Sequence, residues 1–132
     1  MSLKKMVSTG TSWELAYGYS RAVRAGDTIA VAGTTAVDET GAVIGPGDPY
    51  AQAKAVLEII EAALIQVGAS MHDVVRTRIF VTDMAHADPI GRAHGEFFRD
   101  IRPAATMVQV VQLIDPRLLV EIEADAVARA GS

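Results

Sequence analysis

Apolar and acidic residues alternate in the last extended segment of the chain, Leu119 to Val127, and strictly so from Val120 to Ala126. A period of two places consecutive side chains on opposite faces of a β-strand. One face therefore carries only apolar side chains, and the other carries three carboxylates in a row. We expect the acidic face to meet solvent, positive side chains or a reactive ligand. The apolar members are Val120, Ile122, Ala124 and Ala126, and the acidic members are Glu121, Glu123 and Asp125.

A second, largely apolar segment precedes the acidic strand. It covers residues 102–111, and the polar run Ile114-Asp115-Pro116-Arg117 separates the two. Asp and Pro are typical turn residues, because proline presets the backbone angle and aspartate bonds to nearby backbone. The sequence therefore predicts two final strands that return on each other as a hairpin.

Two amphipathic helices are predicted, and the dipeptide Asp-Pro opens each of them, at Asp48-Pro49 and Asp88-Pro89. The aspartate can cap the free N–H groups of the first turn, and a proline at the first helical position removes an N–H that has no partner there. Apolar residues at helical spacing continue to Val67, where Gly68 ends the first helix, and to about Arg99 in the second. The inward side chains expected in the second helix are Ile90, His94, Phe97 and Phe98.

Apolar and β-branched segments predict three strands before the C-terminal pair, with a shorter optional strand among them. Gly26-Asp27 supplies the hairpin turn between the first two strands. The order β-β-(β)-α-β-α-β-β, with both helices on one face of a sheet, predicts a two-layer α+β sandwich. The strands are expected at residues 19–23, 28–32 and 74–81, and the optional one at 36–37 and 42–44.

The strand at 74–81 carries two arginines, Arg76 and Arg78, which alternation places on one face. Two interpretations of the acidic strand stay open. In the structural one, its carboxylates face water or pair with these arginines, at roughly 0.2–1 kcal/mol per pair. In the functional one, a carboxylate at a subunit boundary positions a water or accepts a proton. The opposite face of the arginine strand is expected to hold Val75, Thr77, Ile79 and Val81.

Composition favours one domain that spans residues 1–132. Half of the residues are apolar and the mean hydropathy is +0.24, which is high for a small monomer and suggests oligomerisation. The net charge of −4 and the lack of a basic run disfavour a nucleic-acid groove. We find no signal peptide and no run of roughly 18 apolar residues that would span a membrane, and therefore expect a cytoplasmic protein.

Several kinds of catalytic site are excluded or disfavoured by the residue types present. The chain has no cysteine, so disulfides, thiolate metal sites and cysteine nucleophiles are excluded. No Gly-x-Ser-x-Gly elbow and no phosphate-binding glycine pattern occurs. Its three histidines, His72, His86 and His94, show no metal-ligand spacing, so no metal site is expected. Gly33 ends a buried strand, where a glycine lets the backbone approach a ligand closely or simply ends the strand.

The chain as a whole, from about Tyr17 to Ala128, resembles the Rid family (RidA/YjgF), also described as endoribonuclease L-PSP. The order and spacing of several segments carry this resemblance. They are Tyr19-Ser20-Arg21-Ala22-Val23, the Gly26-Asp27 turn with the strand Ile29 to Gly33, the helix from Gln52, the run Arg76 to Asp83, Phe97-Phe98, Arg102-Pro103-Ala104, and Val120 to Ala124.

The resemblance implies a chorismate-mutase-like fold and a homotrimer, in which the helix-free sheet faces meet in a central barrel and small clefts open between subunits. It also implies hydrolysis of reactive enamines and imines, such as 2-aminoacrylate, to 2-oxo acid and ammonia, without a cofactor. Such a reaction needs a cation for the substrate carboxylate, a polar group that orients water, and a wall that holds the substrate.

Residue by residue, the resemblance gives Glu121 the water-positioning role and places Tyr19 and Gly33 at the ligand. The deaminase motif Pro-Ala-Arg-Ser/Thr is matched at Pro103, Ala104 and Thr106, but Ala105 stands where the arginine is expected. Losing a charge-assisted contact of this kind costs about 1.5–3 kcal/mol in binding. Two other positions depart from the pattern: Met107 replaces a frequent cysteine and Gly91 a frequent asparagine. Arg78 and Arg102 are the candidates that could supply the missing charge.

Three hypotheses follow for the function. The first is a trimer of a divergent, arginine-less subgroup that binds a small metabolite between subunits and hydrolyses a non-standard imine. The second is a metabolite-binding or regulatory trimer without turnover, which Ala105 favours. The third, RNA cleavage, fits poorly with the net charge of −4. Partners other than a second copy and a small molecule, namely nucleic acid and membrane, are not expected.

Overall fold

Residues 4–129, which the computed structural model describes, form a six-stranded sheet and three α-helices. The strands are β1 (Lys5–Val7), β2 (Ala22–Ala25), β3 (Thr28–Thr35), β4 (Val74–Val81), β5 (Ala104–Gln109) and β6 (Val120–Val127); the helices are α1 (Ser12–Tyr17), α2 (Pro49–Gln66) and α3 (Ala87–Phe98). The strand order in the sheet is β1-β2-β3-β6-β4-β5. Helix α2 packs on β3 and β6 and also contacts α3, so these two helices form the second layer. The predicted two-layer α+β fold is confirmed.

The two C-terminal strands do not form the predicted hairpin. β6 pairs antiparallel with β3 on one side and with β4 on the other, whereas β5 pairs parallel with β4. The reason is that α3 connects β4 to β5 as a crossover, which leaves β5 parallel to β4 at the sheet edge. The long connection 110–119 then carries the chain across β4 to the centre of the sheet.

The alternating pattern of β6 is confirmed at every position from 120 to 126. Its apolar side chains are at most 1% exposed and lie under α2, while Glu121, Glu123 and Asp125 are only half-buried on the opposite face. Arg78 of β4 bridges two of these acids: its Nη1 lies 3.2 Å from Glu123 Oε1 and 3.1 Å from Asp125 Oδ2. The acidic face is therefore partly neutralised within the sheet.

The face assignment in β4 is wrong at one residue. The register shifts between Val74 and Arg76, so that Val75 is the extra residue of a bulge. Val74 consequently points into the core, and Val75 is exposed. From Thr77 onwards the predicted alternation holds, because Thr77, Ile79 and Val81 are buried.

The predicted helix start is confirmed for α2 and wrong for α3, in which Asp88 lies inside the first turn and the N-cap is His86. Asp48 caps α2 by accepting a hydrogen bond from the Ala51 N–H at 3.0 Å, and Pro49 is the first helical residue. α3 begins at Ala87, one residue before Asp88, after the short 3₁₀ turn Met84–His86. In α3, Ile90 and Phe98 are buried, and His94 and Phe97 are half-buried.

The N-terminal part holds structure that the sequence pattern did not reveal. Strand β1 extends the sheet beside β2, and α1 follows it. Tyr19 lies outside β2, which begins only at Ala22. The optional strand at 36–44 is reduced to a single bridge between Val37 and Val43. None of the helices within residues 4–129 combines the length and apolar character that crossing a membrane requires.

Candidate functional site

A cavity of about 650 Å³ opens at the side of the sheet where the N-terminal segment meets β3 and β6. Its wall combines residues from the segments on either side of α1, from α1 itself, from β3 and the turn after it, from α2, from the connection before β6, and from β6. It is lined by Ser8, Thr9, Thr11, Trp13, Tyr19, Arg21, Ala32, Gly33, Thr34, Thr35, Val37, Asp38, Glu39, Ile44, Ile59, Gln66, Ile114 and Glu121. Three of the residues that the sequence analysis placed at the ligand line this cavity, namely Tyr19, Gly33 and Glu121.

Glu121 and Gly33 are in direct contact across the β3–β6 pair. The β3 register shifts between Val31 and Thr34, so Gly33 belongs to an irregular stretch opposite β6. A Cβ built on Gly33 would overlap with Oε2 of Glu121. The absence of a side chain at Gly33 lets the carboxyl group lie over the backbone. Gly33 therefore has a more specific role than ending a strand.

The Glu121 carboxyl is a half-buried acid with a shifted pKa. Burial raises its pKa above the ordinary value of 4.5, the positive charge of Arg21 opposes that rise, and the negative charge of Glu123 adds to it. The net effect is a raised pKa, so this carboxyl holds a proton more tightly than an exposed glutamate does. Such a group can exchange a proton with a ligand closer to neutral pH.

Arg21 is the residue of the cavity wall that the sequence reasoning missed as a site candidate. It is only 7% exposed. Its Nη1 donates hydrogen bonds to the Gly33 carbonyl at 2.6 Å and to Thr34 Oγ1 at 3.1 Å, and its guanidinium carbon lies 5.6 Å from the centre of the Tyr19 ring. No local sequence signal marks this role, because a buried arginine is recognised by its fixed acceptors, and these belong to β3.

Helix α1 supports Arg21 through Glu14. Glu14 is 4% exposed, and its Oε2 lies 3.8 Å from Arg21 Nε. The same oxygen accepts hydrogen bonds from the hydroxyls of Thr9 at 2.6 Å and Thr11 at 3.2 Å. Burial by itself would raise the pKa of Glu14, but hydrogen bonds from Thr9, Ser8 and Thr11 outweigh it and lower the pKa. Glu14 therefore stays ionised and holds the arginine in place.

The other residues expected at the ligand lie elsewhere in the chain. Ala105, Thr106 and Met107 belong to β5, which β4 separates from β6, and none of them lines the cavity. Ala105 and Thr106 are exposed and Met107 is half-buried.

The two arginines that were expected to compensate for Ala105 also lie outside the cavity wall. Arg78 is engaged with Glu123 and Asp125. Arg102 is exposed in the turn before β5, at a positive φ of 58°. Within one subunit, neither side chain belongs to the group that surrounds Glu121.

No cluster of three or more histidine, aspartate or glutamate residues suited to a metal ion occurs in residues 4–129. The polar chemistry of the cavity therefore comes from one arginine, three acids and several hydroxyl groups. The acids are Asp38, Glu39 and Glu121.

Comparisons with known proteins agree with this architecture. The family model described as endoribonuclease L-PSP matches residues 10–128. The crystal structure of Rv2704 from Mycobacterium tuberculosis, a member of the YjgF/YER057c/UK114 family, matches this fold with a TM-score of 0.86. The two sequences are 50% identical, and the match covers 96% of this chain and 100% of that one.

Two relatives show the same breadth of similarity in sequence. An uncharacterised protein of Streptomyces coelicolor is 39% identical over 92% of this chain and 90% of its own length. The 3-aminoacrylate deaminase RutC of Acinetobacter baylyi is 38% identical over 79% of this chain and 82% of its own length. With matches that span nearly the whole fold, the chain belongs to the Rid (YjgF, endoribonuclease L-PSP) family.

Proposed function

We propose that this protein binds a small metabolite in the cavity around Glu121 and hydrolyses an enamine or imine there, with release of ammonia. The observation that carries the proposal is the half-buried Glu121 carboxyl, whose raised pKa suits proton exchange and which opens onto a cavity of metabolite size. A relative of 38% identity is named as a 3-aminoacrylate deaminase, which supports the same class of reaction. The proposed activity needs no cofactor, and we expect it in the cytoplasm on the sequence argument given above.

The proposed chemistry needs only water and one proton-exchanging group. Glu121 orients a water molecule, whose oxygen forms a bond to the imine carbon while one of its protons passes through the carboxyl group to the nitrogen. The resulting carbinolamine collapses as its hydroxyl proton passes to the nitrogen and the C–N bond breaks, so that ammonia leaves and a carbonyl compound remains. An enamine substrate first gains a proton on carbon and loses one from nitrogen, which gives the imine. Tyr19 and Gly33 contribute a wall and a close backbone surface that hold the substrate.

The same proposal includes a homotrimer that extends the cavity at a subunit boundary. Strand β5 is an edge strand, exposed over most of its length. Val108 in β5 is 40% exposed, and the following connection exposes Val111 at 97% and Ile114 at 61%. An exposed apolar edge of this kind favours a partner. A second copy there would bring Ala105, Thr106 and Met107 towards the cavity of its neighbour.

A second candidate function is metabolite binding without turnover. Ala105 favours this function. In the deaminases of the family an arginine stands at this position, and this chain lacks that charge. The nucleic-acid alternative is disfavoured by the cavity itself. Its described lining holds three acids against one arginine, which repels a phosphate backbone.

The test is a deaminase assay on the purified protein. Enzymatically generated 2-aminoacrylate, 2-iminobutanoate or 3-aminoacrylate would be supplied, and release of the oxo product and ammonia followed against the spontaneous rate. We expect an acceleration that Glu121→Gln lowers by roughly 10²–10⁴-fold, the usual contribution of a general acid–base group. Rates equal to the spontaneous ones for all three substrates, together with measurable binding, would favour the second candidate.

A further inference from the structure

The cavity contains one cation in its described wall, and that cation comes from the segment before β2 and not from β5. Arg21 faces three acids around the cavity, Asp38, Glu39 and Glu121. The arginine of the family's deaminase motif would instead stand at position 105, on a strand that does not reach this cavity within one subunit. The positive charge of the described cavity wall therefore comes from Arg21.

Several contacts hold the guanidinium of Arg21 in place, but one of its nitrogens has no hydrogen-bond partner among residues 4–129. Both protons of Nη1 have acceptors, the Gly33 carbonyl and Thr34 Oγ1, and Nε faces Glu14 at 3.8 Å. Nη2 has no hydrogen-bond partner within residues 4–129. In that part of the chain, the side-chain atoms that are both buried and without a hydrogen-bond partner are Glu14 Oε1 and His86 Nδ1. Nη2 has no partner and is not one of these buried atoms, so it is accessible. A fixed guanidinium with a free amino group is a preorganised donor for a carboxylate.

The position of Arg21 relative to Glu121 fits a small 2-imino or 2-oxo acid. Arg21 bonds to the carbonyl of Gly33, and the Glu121 carboxyl lies against the Cα of the same residue. Both side chains line the same cavity, and they do not form an ion pair within 4.0 Å of each other. In a 2-imino acid the carboxylate carbon and the imine carbon are directly bonded, so the groups that bind them must be neighbours.

We propose that Arg21 is the specificity-determining residue of this cavity and binds the substrate carboxylate from within the same subunit. This inference rests on the proposed function, because it assumes that the cavity holds a small metabolite. For the 2-imino acid that the family resemblance implies, the carboxylate would lie at Nη2 and the reacting carbon beside Glu121. Ala105 is then compatible with binding of an anionic substrate.

The probes are 2-oxobutanoate, an analogue of the product, and 2-oxobutanamide, which has the same size but no charge. Dissociation constants would be measured by NMR titration of the wild-type protein and of the variants Arg21→Gln, Arg78→Gln and Arg92→Gln. Arg92 is the matched control, because its ion pair with Asp88 lies on the exposed face of α3, away from the cavity. Circular dichroism would establish that each variant is folded.

We expect the wild type and Arg92→Gln to bind the carboxylate at least about tenfold more tightly than the amide, in line with a charge-assisted contact. In Arg21→Gln this preference falls to about one, while affinity for the amide changes little. Retention of the preference in Arg21→Gln, or its loss in Arg78→Gln instead, overturns the assignment to Arg21. A wild type that binds neither compound contradicts the metabolite cavity itself, and with it the proposed function.

A second measurement covers the case in which Arg21→Gln does not fold, because it uses the wild-type protein. The ¹⁵N-labelled guanidinium resonance of Arg21 is expected to shift on addition of 2-oxobutanoate and to stay unchanged with 2-oxobutanamide. A purely structural arginine would respond equally to both compounds or to neither, and that result would refute the proposal.

Discussion

At the scale of single residues, the site depends on a small group of contacts around Gly33. Its carbonyl accepts from Arg21, and its Cα leaves the space that the Glu121 carboxyl occupies. Each of the two functional groups is therefore positioned by the same backbone residue. A change at Gly33 should affect the chemistry of the site far more than the stability of the fold.

Gly33→Ala is expected to lower the deaminase rate, or the affinity for 2-oxobutanoate, by roughly tenfold or more, since a misplaced group costs orientation. The added Cβ overlaps only with the end of the flexible Glu121 side chain, so the free energy of unfolding should change by about 1 kcal/mol or less. Gly95→Ala is the control, because a Cβ on Gly95 meets no atom within 4 Å. Equal effects of Gly33→Ala and Gly95→Ala on the rate or the affinity would contradict a specific role for Gly33.

The raised pKa of Glu121 also predicts a pH-dependent stability difference. Burial is the main cause of the shift, and it makes ionisation of this group unfavourable in the folded state. The resulting cost is absent below the ordinary value of 4.5 and present once the pH exceeds the raised pKa. We therefore expect Glu121→Gln to unfold at a higher denaturant concentration than the wild type at pH 7–8, with the difference vanishing near pH 4. A difference that grows on acidification would show that the pKa is not raised.

At the scale of elements, a buried glutamine ties α2 to the approach of β6. Gln52 is fully buried; its Nε2 donates to the Arg117 carbonyl at 2.9 Å, and its Oε1 accepts from the Leu119 N–H at 2.8 Å. These bonds fix the end of the long connection that lets β6 enter between β3 and β4. Because Glu121 follows only two residues after Leu119, the same contact helps to set where its carboxyl lies.

Gln52→Leu should destabilise the protein by about 1–3 kcal/mol, because it leaves the Leu119 N–H without a partner in a buried region. Chemical denaturation would measure this change. Lys54→Leu, at an exposed position of the same helix, is the control and should be close to neutral. An unchanged midpoint for Gln52→Leu would mean that the connection is held by other contacts.

At the scale of the whole molecule, part of the exposed apolar surface lies along β5 and the connection that follows it, and other exposed apolar side chains, such as Met6, Leu15 and Tyr17, lie in the N-terminal part. Val108, Val111 and Ile114 are each at least 40% exposed, while the core beneath α2 is complete within one chain. The high apolar content noted in the sequence is thus only partly explained by the interior. The apolar side chains exposed on β5 and its connection are the ones that the proposed second copy would cover.

Sedimentation of the wild-type protein is expected to give three times the 14.0 kDa chain mass. Val108→Glu should shift the mass towards that of a single chain, because a buried unpaired charge at an interface is costly. Ile65→Glu, which places the same charge on an exposed position of α2, should leave the assembly unchanged. A monomeric wild type would remove the intersubunit part of the proposed site.

The local sequence pattern determined most of the individual elements. The Asp-Pro start of α2, the Gly-Asp hairpin and the alternation in β6 are set by interactions within a few residues, so they can be read directly. β1 and α1 were missed because their short segments acquire structure only by pairing with β2 and packing around Arg21. The bulge at Val75 likewise depends on the register with β6, which no pattern within β4 specifies.

The site was only partly predictable for the same reason. Glu121, Gly33 and Tyr19 could be named from the sequence, since each fits a family position with a clear chemical role. Arg21 could not be singled out, because its importance comes from Gly33, Thr34 and Glu14, which the folded sheet and α1 bring around it. The sequence by itself determined the family, the layers and the acidic strand, through local spacing and order. Only the tertiary structure decided which charge faces Glu121, because that depends on strand order and on contacts between distant segments.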